Sequence, residues 1–243
     1  MKRSRVVASF ALLAATLVAG PVAAQDASVA PSPESPPAFV CGDDTMDCAG
    51  PLTAGEHASV HFDRPFSFTA TDGWANVLDR YRAYQLSAAQ APDSEFIVWS
   101  HAAIPDQTPE CEALRKPGVG TMTEDWLAFL ADHPGLDVSE PVTVDLGGRP
   151  ATSVEVTVKG SWTTMCPFNT DPFVLLVTDS EEPPTRNHGV WLGGRAYMGF
   201  VDVGEEAVII WVDGADGQPF NDMVALAQPV IESIRFEDPV ATE

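Results

Sequence analysis

The chain is 243 residues long and carries 35 Asp and Glu against 13 Lys and Arg, a formal net charge of −22 at pH 7. A surface so short of cations repels phosphate backbones and anionic headgroups, which argues against nucleic-acid and membrane-surface binding. The 45% hydrophobic content, with six Trp and twelve Phe, argues against disorder and supplies one packed domain.

Residues 1–24 read as a signal peptide. Lys2, Arg3 and Arg5 precede an apolar run from Val6 to Ala19, and the small residues Gly20, Pro21, Val22, Ala23 and Ala24 offer a cleavage site before Gln25. The run is shorter than the roughly 20 residues a membrane-spanning helix needs. No Cys closes it for lipidation, since the first is Cys41. Removal of the leader takes three basic residues and moves the charge from −22 to −25. The expectation is a secreted or periplasmic/cell-wall protein, a monomer without an integral membrane span.

Residues 25–55 are expected to form a flexible Pro-rich tether with a Cys loop, because Pro31, Pro33, Pro36 and Pro37 stand among Ala and Ser with little to bury. Residues 56–238 are read as a single globular α+β domain, and 239–243 as a tail. The four Cys of the exported chain, Cys41, Cys48, Cys111 and Cys166, point to disulfides with three possible pairings. Pairing Cys41 with Cys48 and Cys111 with Cys166 is favoured: the first closes a short loop, and the second ties a long loop to a strand. No C-x-x-C occurs, and His57, His61, His101, His133 and His188 have no zinc-ligand spacing to the Cys.

Strand patterns begin with Val60 and Phe62, continue through Phe66 and Phe68, and resume at Trp74 after the turn Asp72-Gly73. Tyr84 and Leu86 alternate, and Phe96 to Trp99 is a buried-strand run. Residues 107–120 read as a loop. Thr121 and Glu124 have capping-box spacing before a helix whose Trp126, Leu127, Leu130 and Ala131 share a face, ended by His133-Pro134-Gly135. Val142, Val144 and Leu146, then Gly147-Gly148, then Val154, Val156 and Val158 make a hairpin. Phe173 to Val177 is another buried run, and residues 196–203 and 207–212 form a second hairpin about Gly204-Glu205. Asn221 is placed to cap a last helix carrying Met223, Leu226, Val230, Ile231 and Ile234, which Pro229 should kink or divide.

The segment "TEDWLAFLADHPGLDVSEPVTVDLGGRPATSVEVTV", a Cys-bearing loop, two apolar strands and "AQPVIESIRF" together resemble the PsbP-like fold in its exported bacterial branch, which includes actinobacterial lipoproteins. The likeness spans Phe62 to Phe236. It implies an α+β fold, an antiparallel β-sheet flanked by helices in a PsbP-like α/β/α sandwich. It also implies a non-enzymatic binding or assembly role. The absent lipidation Cys departs from the lipoprotein members, and no set of family binding residues carries over.

No catalytic signature is present. A G-x-S-x-G elbow, H-E-x-x-H, a phosphate loop and a dinucleotide fingerprint are all missing. Ser100 and His101 are neighbours whose side chains leave a strand on opposite faces, so they cannot pair directly as nucleophile and base. His57, Ser59, His61 and Asp63 would line one face of an extended segment, read as a polar strand edge facing water rather than a metal site. Asp43, Asp44 and Asp47, and likewise Asp213 and Asp216, are read as solvated or turn-associated acids; no metal site and no cofactor is assigned. Trp99, Trp126 and Trp211 sit in apolar runs and are read as core. Trp162 and Trp191 stand in polar or Gly-containing loops and are the candidate ligand-binding residues. The functional expectation is an exported non-catalytic domain that binds a small apolar ligand, a wall component or a protein partner. The alternative is a secreted hydrolase whose groups meet only in three dimensions.

Overall fold

Alternation of apolar and polar side chains dominates the chain and makes it mostly strand, as the computed structural model shows over the residues it describes, 40–41, 48–108, 113–179 and 187–237. The elements are β1 (Val40–Cys41), β2 (Cys48–Pro51), β3 (Gly55–Ala58), β4 (Phe66–Ala70), β5 (Trp74–Arg80), β6 (Ala83–Ala88), β7 (Ala91–Trp99), β8 (Ala102–Ala103), β9 (Pro105–Gln107) and β10 (Ala113–Arg115). They continue with α1 (Thr123–Asp132), β11 (Leu136–Val138), β12 (Val142–Leu146), β13 (Arg149–Val158), β14 (Phe173–Asp179), β15 (Asn187–Trp191), β16 (Gly194–Val203), β17 (Glu206–Ala215), α2 (Gln218–Ser233) and β18 (Arg235–Phe236). The expected signal peptide, the tail 239–243, Cys111 and the acidic trio Asp43, Asp44 and Asp47 lie outside the described residues.

The main sheet has ten strands in the order β1-β2-β5-β6-β7-β17-β16-β13-β11, with β12 also pairing β13. Smaller sheets run β15-β14-β8, β18-β4-β3 and β10-β9. The centre of the large sheet is β17, and its side chains separate into two cores by the two-residue period. Val208, Ile210 and Val212 pack with Phe96 and Val98 of β7 and with Phe220, Met223, Ala227, Val230 and Ile231 of α2. Ala207, Ile209 and Trp211 pack with Ile97 and Trp99, with Val174 and Leu176 of β14, and with Trp126 and Leu130 of α1. Each core residue buried in this way contributes on the order of 1.5–3 kcal/mol for a side chain of Val, Leu or Phe size.

Both expected hairpins form. In β12–β13 the register closes Leu146 on Arg149, and Gly147 and Gly148 hold φ of +68° and +79°. Two successive positive φ values belong to the turn whose twist suits a tight hairpin, and Gly adopts them without a side-chain clash. In β16–β17 Val203 faces Glu206 across Gly204-Glu205.

Four local expectations are corrected. The stretch 25–55 is not wholly a tether: Cys41 faces Cys48 across the β1–β2 pair, β2 joins the sheet through Gly50 with Asn76 and Pro51 with Ala75, and Leu52 is buried. A two-residue β1 and a four-residue β2 ending in Gly50-Pro51 have no apolar alternation to announce them. Val60 to Phe62 is a loop, because the buried Asp79 carboxylate accepts the Val60 and His61 amides at 2.6 and 3.1 Å and so holds them out of a ladder.

Helix α1 starts at Thr123 rather than through a Thr121–Glu124 box. There the Asp125 carboxylate accepts the Met122 amide at 3.0 Å, and Asp202 accepts both the amide and the hydroxyl of Thr123. Helix α2 starts at Gln218, with Pro219 in its first turn, ahead of Asn221. Pro229 lies inside it without dividing it, since Met223, Ala227, Val230 and Ile231 seat both halves in the same core.

Candidate binding clefts and histidine clusters

Trp162 and Trp191 both border clefts, but not the same one. Trp162 stands in the bend after β13 and lines a cleft of about 510 Å³ with Phe129 and His133 of the α1 end, Pro134, Lys116, Thr163, Thr164 and Met165. The indole is fixed rather than swinging. Its Nε1–H donates to the Phe173 carbonyl at 3.0 Å, its ring lies 5.4 Å from that of His133, and it presses on Gly135 so closely that a Cβ there would fall 2.6 Å from it. Burial, helped by Lys116 and Lys159, pushes His133 down to about 4, so the ring is neutral at pH 7. Its Nδ1 accepts the Gly135 amide at 3.1 Å, which leaves Nε2 as the protonated nitrogen.

The cleft lining is mixed, with Asp106, Thr108, Lys116, Thr163 and Thr164 beside Phe129, Met165 and Leu175, and exposed apolar side chains stand in the segment that follows Trp162. Met165 is exposed, and Phe168 is 62% exposed and edge-on to Phe173 at 5.6 Å. Between them Cys166 is buried and disulfide-bonded, and among the described residues no cysteine is free. Lys116, its Nζ 6.0 Å above the Phe129 ring, brings a positive charge to a protein that has one other Lys after Lys2, Lys159, whose Nζ donates to the Pro134 carbonyl at 3.3 Å.

Trp191 pairs with Phe173 across β14–β15 and packs on Cys166, Phe173 and Leu175. It lines a second cleft of about 350 Å³ with Glu95, Asn187, His188 and Asp213. There His188 Nε2 lies 3.2 Å from Asp213 Oδ2 and 3.4 Å from Glu95 Oε2, and the Glu95 amide donates to Asp213 Oδ1 at 3.0 Å. Burial raises the Glu95 carboxyl; His188 and a hydrogen bond from Gln85 pull it back, while Asp213 pushes it further up. Trp99 and Trp211 flank the His188 ring at 6.2 and 4.7 Å, and their buried Nε1–H groups have no hydrogen-bond partner.

A third grouping surrounds His101, which leaves the end of β7 with φ +49°. His101 Nε2 meets Asp63 Oδ2 at 2.5 Å and its Nδ1 lies 3.2 Å from Glu206 Oε2. Arg64 donates to Glu206 from Nε and from a terminal nitrogen at 3.3 and 3.1 Å and lies 3.7 Å from Asp63. Ser100 gives its hydroxyl to Asp63, not to the imidazole, and is 0% exposed. The serine is thus a buried pin between loop and strand, its hydroxyl held by a carboxylate and not by the imidazole. Asp63 is drawn to His101 rather than lining up with His57 and His61: His57 remains in β3, and His61 is in the loop.

Sequence reasoning missed the His188 grouping. A signal existed in the alternation. Trp211 faces Ile97 in the β17–β7 register, so two residues further on Asp213 reaches Glu95. An acid at an inward-facing position of each strand is an anomaly that asks for a partner. Nothing local points to His188, which comes from a separate sheet.

No family model matches the chain, and no curated protein matches it. Solved structures that do match include LpqN of Mycobacterium tuberculosis, described as involved in cell envelope biogenesis (14% identity, 77% of this chain and 93% of that one, TM-score 0.40). A cyanobacterial PsbP from Synechocystis sp. PCC 6803 matches at 14% identity over 83% of this chain and 99% of that one, with a TM-score of 0.37. A structure from Bacteroides thetaiotaomicron matches at 10% identity and TM-score 0.36, over 76% of this chain; there the match spans about half of the neighbour, 49%. A PsbP and a protein involved in cell envelope biogenesis are among the solved structures it matches. No helix among the described residues is long and apolar enough to cross a membrane.

Proposed function

We propose that the protein is an exported, non-catalytic binding domain of the PsbP-like α/β/α type, released by removal of residues 1–24 and braced by disulfides pairing Cys41 with Cys48 and Cys111 with Cys166. Its ligand enters the cleft at Trp162. One observation carries this reading: a rigidly held indole, the apolar side chains of Phe129, Met165 and Leu175, and the Lys116 ammonium line one opening of about 510 Å³, with Asp106 as its acid. Such a lining suits a ligand with an apolar or ring-shaped body and an anionic group, the body against Trp162 and Phe129 and the anion near Lys116. The neutral His133 adds one ring N–H donor. A hydrolytic role has no support at Ser100, whose hydroxyl is buried against a carboxylate.

The test uses 1-anilinonaphthalene-8-sulfonate, which combines rings with a sulfonate. Its fluorescence should rise on addition of the protein. Trp162→Ala and Lys116→Glu should each weaken binding about tenfold or more, a loss of roughly 1.4 kcal/mol, while Trp191→Ala leaves it unchanged. Equal binding by the wild type and Trp162→Ala would overturn the assignment.

A further inference from the structure

We infer that His188, Asp213 and Glu95 form a binding site for a divalent transition-metal cation at the floor of the Trp191 cleft. This goes beyond the ligand-binding reading of the Trp162 cleft and does not depend on it.

The argument is one of geometry and charge. A neutral imidazole has one N–H, and a single N–H makes one good hydrogen bond. At His188 one nitrogen, Nε2, faces two carboxylate oxygens at 3.2 and 3.4 Å. Both separations exceed the roughly 2.7–2.9 Å of a charge-assisted hydrogen bond. They match the edge of a tetrahedron of ligands around a metal, about 3.4 Å when each ligand lies about 2.1 Å from the ion. The three donor atoms all fall within 4.8 Å of one another. One imidazole with two carboxylates suits Zn²⁺, Co²⁺ or Mn²⁺.

Charge points the same way. Among the described residues His188 is the one basic side chain within 4 Å of the Glu95 and Asp213 carboxylates, and it meets both through the same nitrogen. Asp93 adds a further acid to the cleft lining. The His101 grouping has the same residue types and the opposite outcome. There each imidazole nitrogen meets its own carboxylate and the Arg64 guanidinium pairs with Glu206, so no two carboxylates share one nitrogen and a fixed positive charge is already in place.

The placement fits a site open to ligands. Asp213 is held almost wholly buried at 5% by its bond to the Glu95 amide, whereas the Glu95 side chain is 43% exposed. Three protein donors leave a fourth position, and that position faces the cleft bordered by Trp191 and Asn187. A cation there would join β15 to the β7–β17 pair and let the cleft take a ligand that donates an oxygen or nitrogen to the metal.

The experiment titrates chelator-stripped, dialysed protein with Co²⁺, reading the visible d–d absorption of the ion and the quenching of tryptophan fluorescence, since Trp211 and Trp99 adjoin His188. One equivalent should bind, with tetrahedral-type absorption, and Zn²⁺ should displace it. His188→Gln and, separately, the more exposed Glu95→Gln should each weaken Co²⁺ at least tenfold, while His101→Gln leaves it unchanged. Circular dichroism of each variant must match the wild type, and Glu95→Gln stands alone if His188→Gln does not fold. Absence of stoichiometric binding would overturn the site, as would equal affinity in His188→Gln or Glu95→Gln, or a loss in His101→Gln as large as theirs.

Discussion

The two histidine–carboxylate groups sit at opposite ends of the same strand pair. Glu206 opens β17 and Asp213 lies seven residues along it, a separation of about 23 Å in an extended strand. At the Glu206 end, Arg64 and both nitrogens of His101 meet two carboxylates, and Ser100 closes the remaining oxygen of Asp63. At the Asp213 end, one imidazole nitrogen serves two acids, and the group opens into a cleft. Residue type alone does not decide what such a cluster does. The number of counter-charges and the way out to solvent decide it: the first end is a strut and the second is receptive.

The largest expected effect follows from breaking the strut. Asp63→Ala strands His101 and Arg64 together and frees the Ser100 hydroxyl in a buried site, so urea denaturation should show a loss of about 3 kcal/mol. Glu95→Gln, at the other end and without added metal, should change stability by less than about 0.5 kcal/mol. Equal losses would erase the distinction. Arg64→Leu tests it from the other side. Loss of the guanidinium should cost about 1 kcal/mol, since Arg64 is about a third exposed, and should make the melting temperature newly sensitive to divalent ions at the His101 end.

His133 sharpens the contrast, because burial and the charges of Lys116 and Lys159 act on it where carboxylates act on the other two rings. Above pH 6.5 its ring is neutral in folded and unfolded chains alike. Between about 6.5 and about 4 only the unfolded chain takes up the proton, so stability falls with pH across that window and no further below it. His133→Gln should flatten this segment of a urea-midpoint-against-pH curve, with other pH-dependent contributions retained. An unchanged slope would mean that burial does not hold the ring neutral.

Much of the scaffold was legible because it rests on short-range patterns. Val154, Val156 and Val158 alternate next to a Gly-Gly turn, and Trp126 and Leu130 recur at helical spacing, so β12–β13 and α1 could be read directly. Trp162 and Trp191 read as aromatics in polar loops; Trp162 lies in the bend after β13, whereas Trp191 ends strand β15 and pairs with Phe173. What stayed hidden depends on long-range pairing. The β1–β2 strands are too short to show a period, and the cap of α1 comes partly from Asp202, far along the chain. The Glu95–His188–Asp213 group assembles residues from three strands, Glu95 and Asp213 standing 118 positions apart. Its trace in the sequence was an acid set on the inward side of β7 and of β17, a position that burial makes costly without a partner.

The central claim is that the Trp162 cleft holds a ligand in the protein's own surroundings. Native mass spectrometry of protein recovered from its host's medium or envelope fraction tests this most directly. The account predicts a discrete added mass on the disulfide-bonded chain, lost in Trp162→Ala and retained in Trp191→Ala. A clean unliganded mass for the wild type, or an adduct that survives Trp162→Ala undiminished, would contradict it.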